Sequence, residues 1–394
     1  MSTARRLAAD VLHWREDFDR AAFLARVWQR KPFLIRQAWR AWGNLLEPDE
    51  LAGLACADNV EARLVLRNGR RWSVEHGPFA AQRFAKLPVR HWTLLVQAVD
   101  QHLPEVAALR DAFRFLPEWR IDDVMVSYAV DGGGVGAHFD QYDVFLLQGL
   151  GQRRWQVGPR CDSDTTLLPH DELRLLREFE VEHDWLLDAG DMLYLPPRYA
   201  HRGVAVGDEC MTYSIGFRAP SRAELLGHWA DAAIDGLNED DRYTDGQLSA
   251  AAKPGEIDDA TLGRLRGMVE SALSDRAVFS DWFGRYVTAR KYPEPTGGPA
   301  RATNPTRLVA RLARGACLVR HAASRYAYMR RGRGLSLYVD GVSLACKGAA
   351  ARLAERLCNE RGCRLGASDL RAKAALDLAV ELFNRGVLVF DDAW

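Results

Sequence analysis

Gly136-Ala137-His138-Phe139-Asp140-Gln141-Tyr142-Asp143-Val144-Phe145-Leu146-Leu147, read with GDMLYLPPRYAHRG at 190–203, decides the fold of this chain. His138 and Asp140 are two apart, so in an extended segment both side chains leave the same face and reach one metal. His201 follows after sixty intervening residues, just past Pro196-Pro197. Two histidines and one carboxylate hold iron(II) on one side and leave the remaining coordination positions open for chemistry. Val144 to Leu147 reads as a buried strand, Gly149-Leu150-Gly151 as a turn, and Arg153 to Val157 as the returning strand of a hairpin. Trp185-Leu186-Leu187, a turn at Asp188-Ala189-Gly190-Asp191 and the strand Met192 to Leu195 suggest a second hairpin, with His201 opening the next strand. Repeated antiparallel pairing of this kind is what a small barrel or double-sheet jelly roll provides.

Outward from this core, Gly132-Gly133-Gly134-Val135-Gly136 permits unusual backbone angles and close approach before His138. Upstream, Val124 to Val130 reads as a strand in which Ser127 is the polar member. Helices are expected at Asp49 to Ala57, with Asp49 as cap, and at Trp92 to His102. The chain has 394 residues, enough for two or three domains, and 48% hydrophobic residues to fill their cores. Formal net charge is zero, so no overall field directs it to nucleic acid or to a membrane. Arginine outnumbers lysine 47 to 6, which reads as a compositional bias rather than phosphate binding. Seven cysteines, an odd number, point to reduced thiols and a cytoplasmic setting. Cys358 and Cys363 have no second pair to complete a zinc site. The N-terminal MSTARRLAADVLHWRED lacks an apolar signal core, and no window approaches eighteen uninterrupted apolar residues, so no membrane association is expected.

At the His-x-Asp and GDMLYLPP segments the chain resembles the JmjC-type 2-oxoglutarate-dependent oxygenases, and within them the bacterial ribosomal oxygenase branch. The likeness extends over roughly residues 20 to 225, through WQRKPFLIRQAW, ELAGLA, HGPF, WTLLVQAVD, LPEWRIDDVMVSYAVDGGGVGAHFDQYDVFLLQG, RRWQVG and YSIGFRAPS. It implies an α+β chain with a double-stranded β-helix (jelly-roll, cupin-like) catalytic domain, a helical dimerisation region and a C-terminal winged-helix-like domain. It also implies Fe(II) as cofactor, held by His138, Asp140 and His201, with 2-oxoglutarate and dioxygen as co-substrates. Arg153 matches the residue that binds the distal carboxylate of 2-oxoglutarate, for which a planar guanidinium is well suited. Ser127 is its expected partner. Alternation supports the inward placement: Arg153, Trp155 and Val157 share one face, and Arg154 takes the other. Tyr142, Tyr194 and Trp155 are read as core aromatics and left outside the site. The branch hydroxylates the β-carbon of an arginine in a large-subunit ribosomal protein, L-sixteen, with succinate and carbon dioxide as co-products.

Three segments are expected: the oxygenase domain at 1–220, a helical dimerisation region and linker at 221–302, and the winged-helix-like domain at 303–394. The pattern turns helical after Ser221, Asn238-Glu239-Asp240-Asp241 reads as a solvated loop, and YPEPTGGPARATNP as the linker. Further on, Tyr326 to Arg331 and Leu335 to Val339 read as strands joined to a hairpin signal at Asp340-Gly341. A helix capped by Ser368 and a closing strand in VLVFDDAW complete the tail. Residues 301–350 carry ten Lys or Arg against one acid, but the arginine bias accounts for much of that, so nucleic acid is not the favoured partner. The favoured partners are the ribosomal protein substrate and a second copy of the chain. Alternatives are a hydroxylase of another residue, such as a ribosomal histidine, or a non-catalytic cupin-like metal-binding and ribosome-interaction protein. A helix-turn-helix regulator with a sensing barrel is a third. Retention of Arg153 speaks against an inactive site, which needs no co-substrate anchor.

Overall fold

The computed structural model describes residues 14–39, 41–245, 255–292 and 301–391. The extreme N-terminus, most of the proposed linker and the last three residues of VLVFDDAW lie outside them. The described residues fall into two compact units: one comprises those up to Ala219, Tyr292–Ser324 and from Asn359 onward, the other Pro220–Lys291 and Arg325–Cys358. Residues 303–394 thus contribute to both units.

The first unit begins with α1 (Arg20–Arg26), β1 (Phe33–Ile35), α2 (Pro48–Leu54), β2 (Ala62–Asn68), β3 (Arg71–His76), α3 (Ala81–Phe84), β4 (Trp92–Val96), α4 (Pro104–Ala112) and β5 (Ile121–Ala129). It continues with β6 (Asp143–Arg160), β7 (His183–Leu187), β8 (Met192–Leu195) and β9 (Tyr199–Phe217). These nine strands form one sheet in the order β1-β8-β6-β9-β5-β4-β2-β3, with β7 also on β6, and every pairing is antiparallel. One face of the sheet packs on the N-terminal helices through Phe23, Trp39, Leu51, Phe113, Phe145, Tyr194 and Phe217. The other face carries the functional cavity. An antiparallel sheet curled so that its concave face is lined is the jelly-roll arrangement anticipated from the sequence.

The two hairpins are not formed. β6 runs unbroken for 18 residues and pairs β9 along nearly its whole length, with register shifts at Gln148/Leu150 and Leu150/Gln152. The glycines read as a turn serve close approach instead: a Cβ on Gly149 would lie 2.3 Å from the Tyr213 ring, and one on Gly151, at φ +62°, would lie 1.8 Å from the Glu209 carbonyl. They make a bulge, which bends the strand without ending it. We expect Gly151→Ala to destabilise the fold by more than about 2 kcal/mol, combining a positive φ with an overpacked carbonyl; an unchanged denaturation midpoint would refute this. Likewise β7 and β8 do not pair with each other but follow one another along the same edge of β6. The turn between them is held by buried Asp191, which accepts hydrogen bonds from the backbone N–H of Gln37 (2.8 Å) and Asp188 (3.1 Å) and pairs with Arg36 at 2.6 Å.

Two helix assignments also change. Trp92 to Val96 is β4, because five consecutive buried residues suit a strand covered on both faces; only Val99–Gln101 is helical, as a single 3₁₀ turn. α2 starts one residue earlier than read, with Glu47 as cap in a reciprocal pair with Glu50 and Pro48 at the first helical position.

Beyond the sheet come α5 (Arg222–Ile234), α6 (Asp259–Leu273), α7 (Arg276–Thr288), α8 (Pro305–Leu312), β10 (Leu318–Arg320), β11 (Tyr326–Arg331), β12 (Gly334–Val339), β13 (Val342–Lys347), α9 (Gly348–Asn359), α10 (Lys373–Asn384) and β14 (Leu388–Phe390). In the second unit, α5 is capped by Ser221, whose hydroxyl accepts from the Glu224 N–H at 3.1 Å. Trp229, Trp282 and Ala233 form the buried junction of α5 and α7. β11, β12 and β13 form a three-stranded sheet, and Asp340 (φ +47°) and Gly341 (φ +81°) make the two-residue turn expected of an Asp-Gly pair. In the first unit, β10 pairs β14. The capping role given to Ser368 does not hold: Ala367–Leu370 is a 3₁₀ turn and α10 starts five residues later, after Ala372.

Candidate metal and co-substrate site

The sheet brings His138, Asp140 and His201 together. One ligand atom from each lies within 4.8 Å of the others; the His201 Nε2 to Asp140 Oδ2 distance is 3.6 Å and that from His138 Nε2 is 4.0 Å. His201 is the third residue of β9, whereas His138 and Asp140 lie outside the sheet strands. They are held there by main-chain bonds: His138 N–H donates to the His201 carbonyl (3.0 Å), His201 N–H to the His138 carbonyl (2.8 Å) and Arg198 N–H to the Asp140 carbonyl (2.6 Å). The Pro196-Pro197-Arg198 turn, with Arg198 at φ +72°, thus fixes the second ligand as well as the third.

Each imidazole is oriented by its other nitrogen. His138 Nδ1 lies 3.1 Å from the Gly136 carbonyl and His201 Nδ1 lies 2.9 Å from the Tyr199 carbonyl. A carbonyl only accepts, so Nδ1 carries the proton and Nε2 presents its lone pair to the metal position. Burial, reinforced by the neighbouring His138, lowers the His201 pKa to about 4, so its ring is neutral at neutral pH. The glycine run before His138 is required by packing: a Cβ on Gly133 would stand 2.1 Å from the Trp92 carbonyl, and one on Gly134 2.2 Å from that of Gly203.

The triad opens into a cavity of about 330 Å³ that also contains Ser127, Arg153, Trp155, Tyr142, Thr212 and Arg63. Arg153 is 5% exposed, with Arg154 exposed beside it, as alternation requires. Among the described residues its Nε and Nη2 have no hydrogen-bond partner, and its guanidinium lies over the Trp155 ring at 5.8 Å. A buried cation left with unsatisfied donors is costly unless an anion completes it. The residues therefore fit the implied groups: a neutral-imidazole and carboxylate set for a divalent iron, and a guanidinium for a free carboxylate. Ser127 lines the same cavity on β5, directly opposite Thr212 on β9.

Trp155 and Tyr142 line the cavity, although as aromatics they were assigned to the core. The Trp155 ring lies 5.9 Å from that of His201, and the Asp140 carboxylate, together with burial, raises the Tyr142 pKa well above its ordinary value. Tyr194 is structural: its hydroxyl donates to buried Asp143 at 2.6 Å on the opposite face, where Arg120 completes the carboxylate at 3.0 Å. Thr212 and Arg63 escaped the sequence reading. Period-two alternation from Ser127 was the available signal, but the strand partners were unknown.

Residues 108–225 match the JmjC domain model and 271–389 the ROXA-like winged helix model. The ribosomal protein uL16 3-hydroxylase of Escherichia coli is 38% identical over 298 residues, 76% of this chain and 79% of that protein. The chain belongs to the JmjC-type bacterial ribosomal oxygenases. Another ribosomal oxygenase relative, described as probable, from Haemophilus influenzae, is 36% identical across 68% of this chain and 67% of its own length. The solved structure of the Escherichia coli ribosomal oxygenase YcfD with cobalt and 2-oxoglutarate superposes with a TM-score of 0.84 at 32% identity, over 96% of this chain and 100% of that one. Both the jelly-roll oxygenase domain and the winged helix of this ribosomal oxygenase are thereby confirmed as fold assignments.

Proposed function

We propose that this ribosomal oxygenase is an iron(II)- and 2-oxoglutarate-dependent hydroxylase of the large-subunit ribosomal protein uL16, adding a hydroxyl to the β-carbon of an arginine. The carrying observation is Arg153: a buried guanidinium whose Nε and Nη2 have no hydrogen-bond partner among the described residues, in the same cavity as His138, Asp140 and His201. His138, Asp140 and His201 are the iron ligands, Arg153 is the anchor for the distal carboxylate of 2-oxoglutarate, and Ser127 assists it. The bound iron supplies the activation of dioxygen, coupled to oxidation of 2-oxoglutarate to succinate and carbon dioxide. The protein side chains orient and exclude: the Nδ1–carbonyl bonds aim the imidazoles, Arg153 sets the co-substrate's direction, and Trp155, Leu146 and Val144 shield the cavity from water. The names of the Escherichia coli and Haemophilus influenzae relatives support a ribosomal target. The test is reconstitution with iron(II), 2-oxoglutarate, oxygen and isolated uL16, read by intact mass and fragment spectra. A single added oxygen on one arginine is expected; succinate formation without it would reject the substrate.

Residues 1–220 serve as the oxygenase domain, 221–302 as dimerisation region and linker, and 303–394 as the winged-helix-like domain. A homodimer through the helical region is supported by apolar side chains left exposed on α5 and α6: Leu226, Ile234, Leu262, Leu265 and Val269. Leu265→Glu with Val269→Glu should convert a dimer to a monomer in analytical ultracentrifugation, with the sheet core unaffected; a retained dimer would exclude this face. A cytoplasmic location is supported by seven cysteines, all unpaired. No described helix is long and apolar enough to cross a membrane.

A further inference from the structure

The cavity holds a second guanidinium that the co-substrate does not require. Arg63 lies on β2, opposite Leu95 on β4 and His76 on β3, and its side chain enters the cavity with those of Val65, Leu95 and Ser127. Among the described residues Arg63 makes no side-chain hydrogen bond or ion pair, and its Nε is buried without a partner. Among the described residues, the cavity's other arginines are accounted for: Arg174 covers the Phe139 ring at 5.8 Å, and the orphaned nitrogens of Arg153 are the proposed anchor of the co-substrate. An arginine kept part-buried and unpaired loses hydration without recovering a hydrogen bond, which is unfavourable unless a ligand restores it.

Position distinguishes what that ligand is. Ser127, Thr212 and Arg153, at 5%, 2% and 5% exposure, form the floor of the cavity. Glu172 and Arg174 are exposed and form its rim, with Glu172 paired to His76, the register neighbour of Arg63. Arg63 is intermediate in exposure, and β4 separates it from the β5 strand of Ser127, so it stands on the rim side. A ligand entering from the rim is the protein substrate. The side chain to be hydroxylated is itself cationic, so two guanidinium groups would repel there. Main-chain carbonyl oxygens carry no such penalty and match the fork of donors that Arg63 presents.

We propose that Arg63 is a substrate-binding residue that donates to main-chain carbonyl oxygens of the polypeptide as it enters the cavity. This rests on the ribosomal-protein reading above. The contact fixes the depth of the chain while the target side chain continues towards the iron position. It makes Arg63 a determinant of polypeptide binding and not of co-substrate binding.

The experiment compares wild type, Arg63→Met and Arg63→Lys under anaerobic conditions with iron(II) and 2-oxoglutarate, measuring uL16 affinity by biolayer interferometry and 2-oxoglutarate affinity by calorimetry. Aerobic KM values for both ligands accompany them. Arg63→Met is expected to weaken uL16 binding and raise its KM by tenfold or more, with 2-oxoglutarate affinity unchanged within twofold. Arg63→Lys, which keeps charge but not the fork, should recover only part of the loss. A fall in 2-oxoglutarate affinity with uL16 affinity intact would overturn the proposal, as would no change in either. Wild type that turns over 2-oxoglutarate but does not bind uL16 would overturn the substrate assignment first, and this inference with it. Circular dichroism of each variant excludes misfolding as the cause, and Arg63→Met keeps an unbranched stem of similar bulk while removing the donors.

Discussion

His201→Ala lowers iron(II) affinity by more than about a hundredfold and abolishes both succinate formation and hydroxylation, while the protein remains folded. The expected loss exceeds the 10–100-fold typical of removing a hydrogen-bond partner of a metal ligand, because the ligand itself is gone. Folding survives because alanine retains the two backbone hydrogen bonds that His201 exchanges with His138, and only the ring's bond to the Tyr199 carbonyl is lost. Iron binding is read by titration with the absorbance of the iron(II)–2-oxoglutarate complex. A variant that still develops that absorbance at wild-type iron concentrations would remove His201 from the ligand set. His138→Ala should behave alike, and a protein with both substitutions should lose little more than either alone, since the ligands act as a unit.

Arg153→Ala gives the second large effect, and it has a different form. The KM for 2-oxoglutarate should rise about 100-fold, close to ~2.7 kcal/mol, a reasonable magnitude for one buried charge-assisted pair. Iron affinity without co-substrate should be unaffected, because the guanidinium touches no ligand of the triad. Steady-state kinetics over a wide 2-oxoglutarate range and metal titration of the apoprotein separate the two quantities. An unaltered co-substrate KM would mean that the buried, partnerless nitrogens of Arg153 serve some other anion. The contrast between the variants is diagnostic: one loses the metal, the other loses only the molecule that chelates it.

The site was more legible in the sequence than the connections that build it. His138, Asp140 and His201, singled out by their spacing together with the family resemblance, do converge in the structure, and Arg153, named through that resemblance, lies on the buried face that alternation suggested. What failed was the meaning of glycine. Gly149 and Gly151 look like turn residues, yet each is there because another part of the chain occupies the volume of a Cβ. Local sequence cannot distinguish a glycine that turns the chain from one that admits a neighbour. Trp92 to Val96 failed for a related reason: a short apolar run has no period, so only its burial on both faces marks it as a strand. Trp155 shows the same limit from the other side, being both a core aromatic and a cavity wall, while Tyr142 lines the cavity and is partly exposed.

The distribution of the C-terminal residues between the two units bears on how this gene can be edited. A stop codon after residue 302 looks like the clean removal of an accessory module, but it would also take β10, β14, α8 and α10 from the unit that contains the oxygenase sheet. Glu118 would lose Arg320, which together with Arg114 and Arg110 outweighs the effect of burial and holds its carboxyl below the usual range. The C-terminal residues therefore do not form one separate compact unit. A deletion of the tail thus also removes elements of the unit that contains the oxygenase sheet.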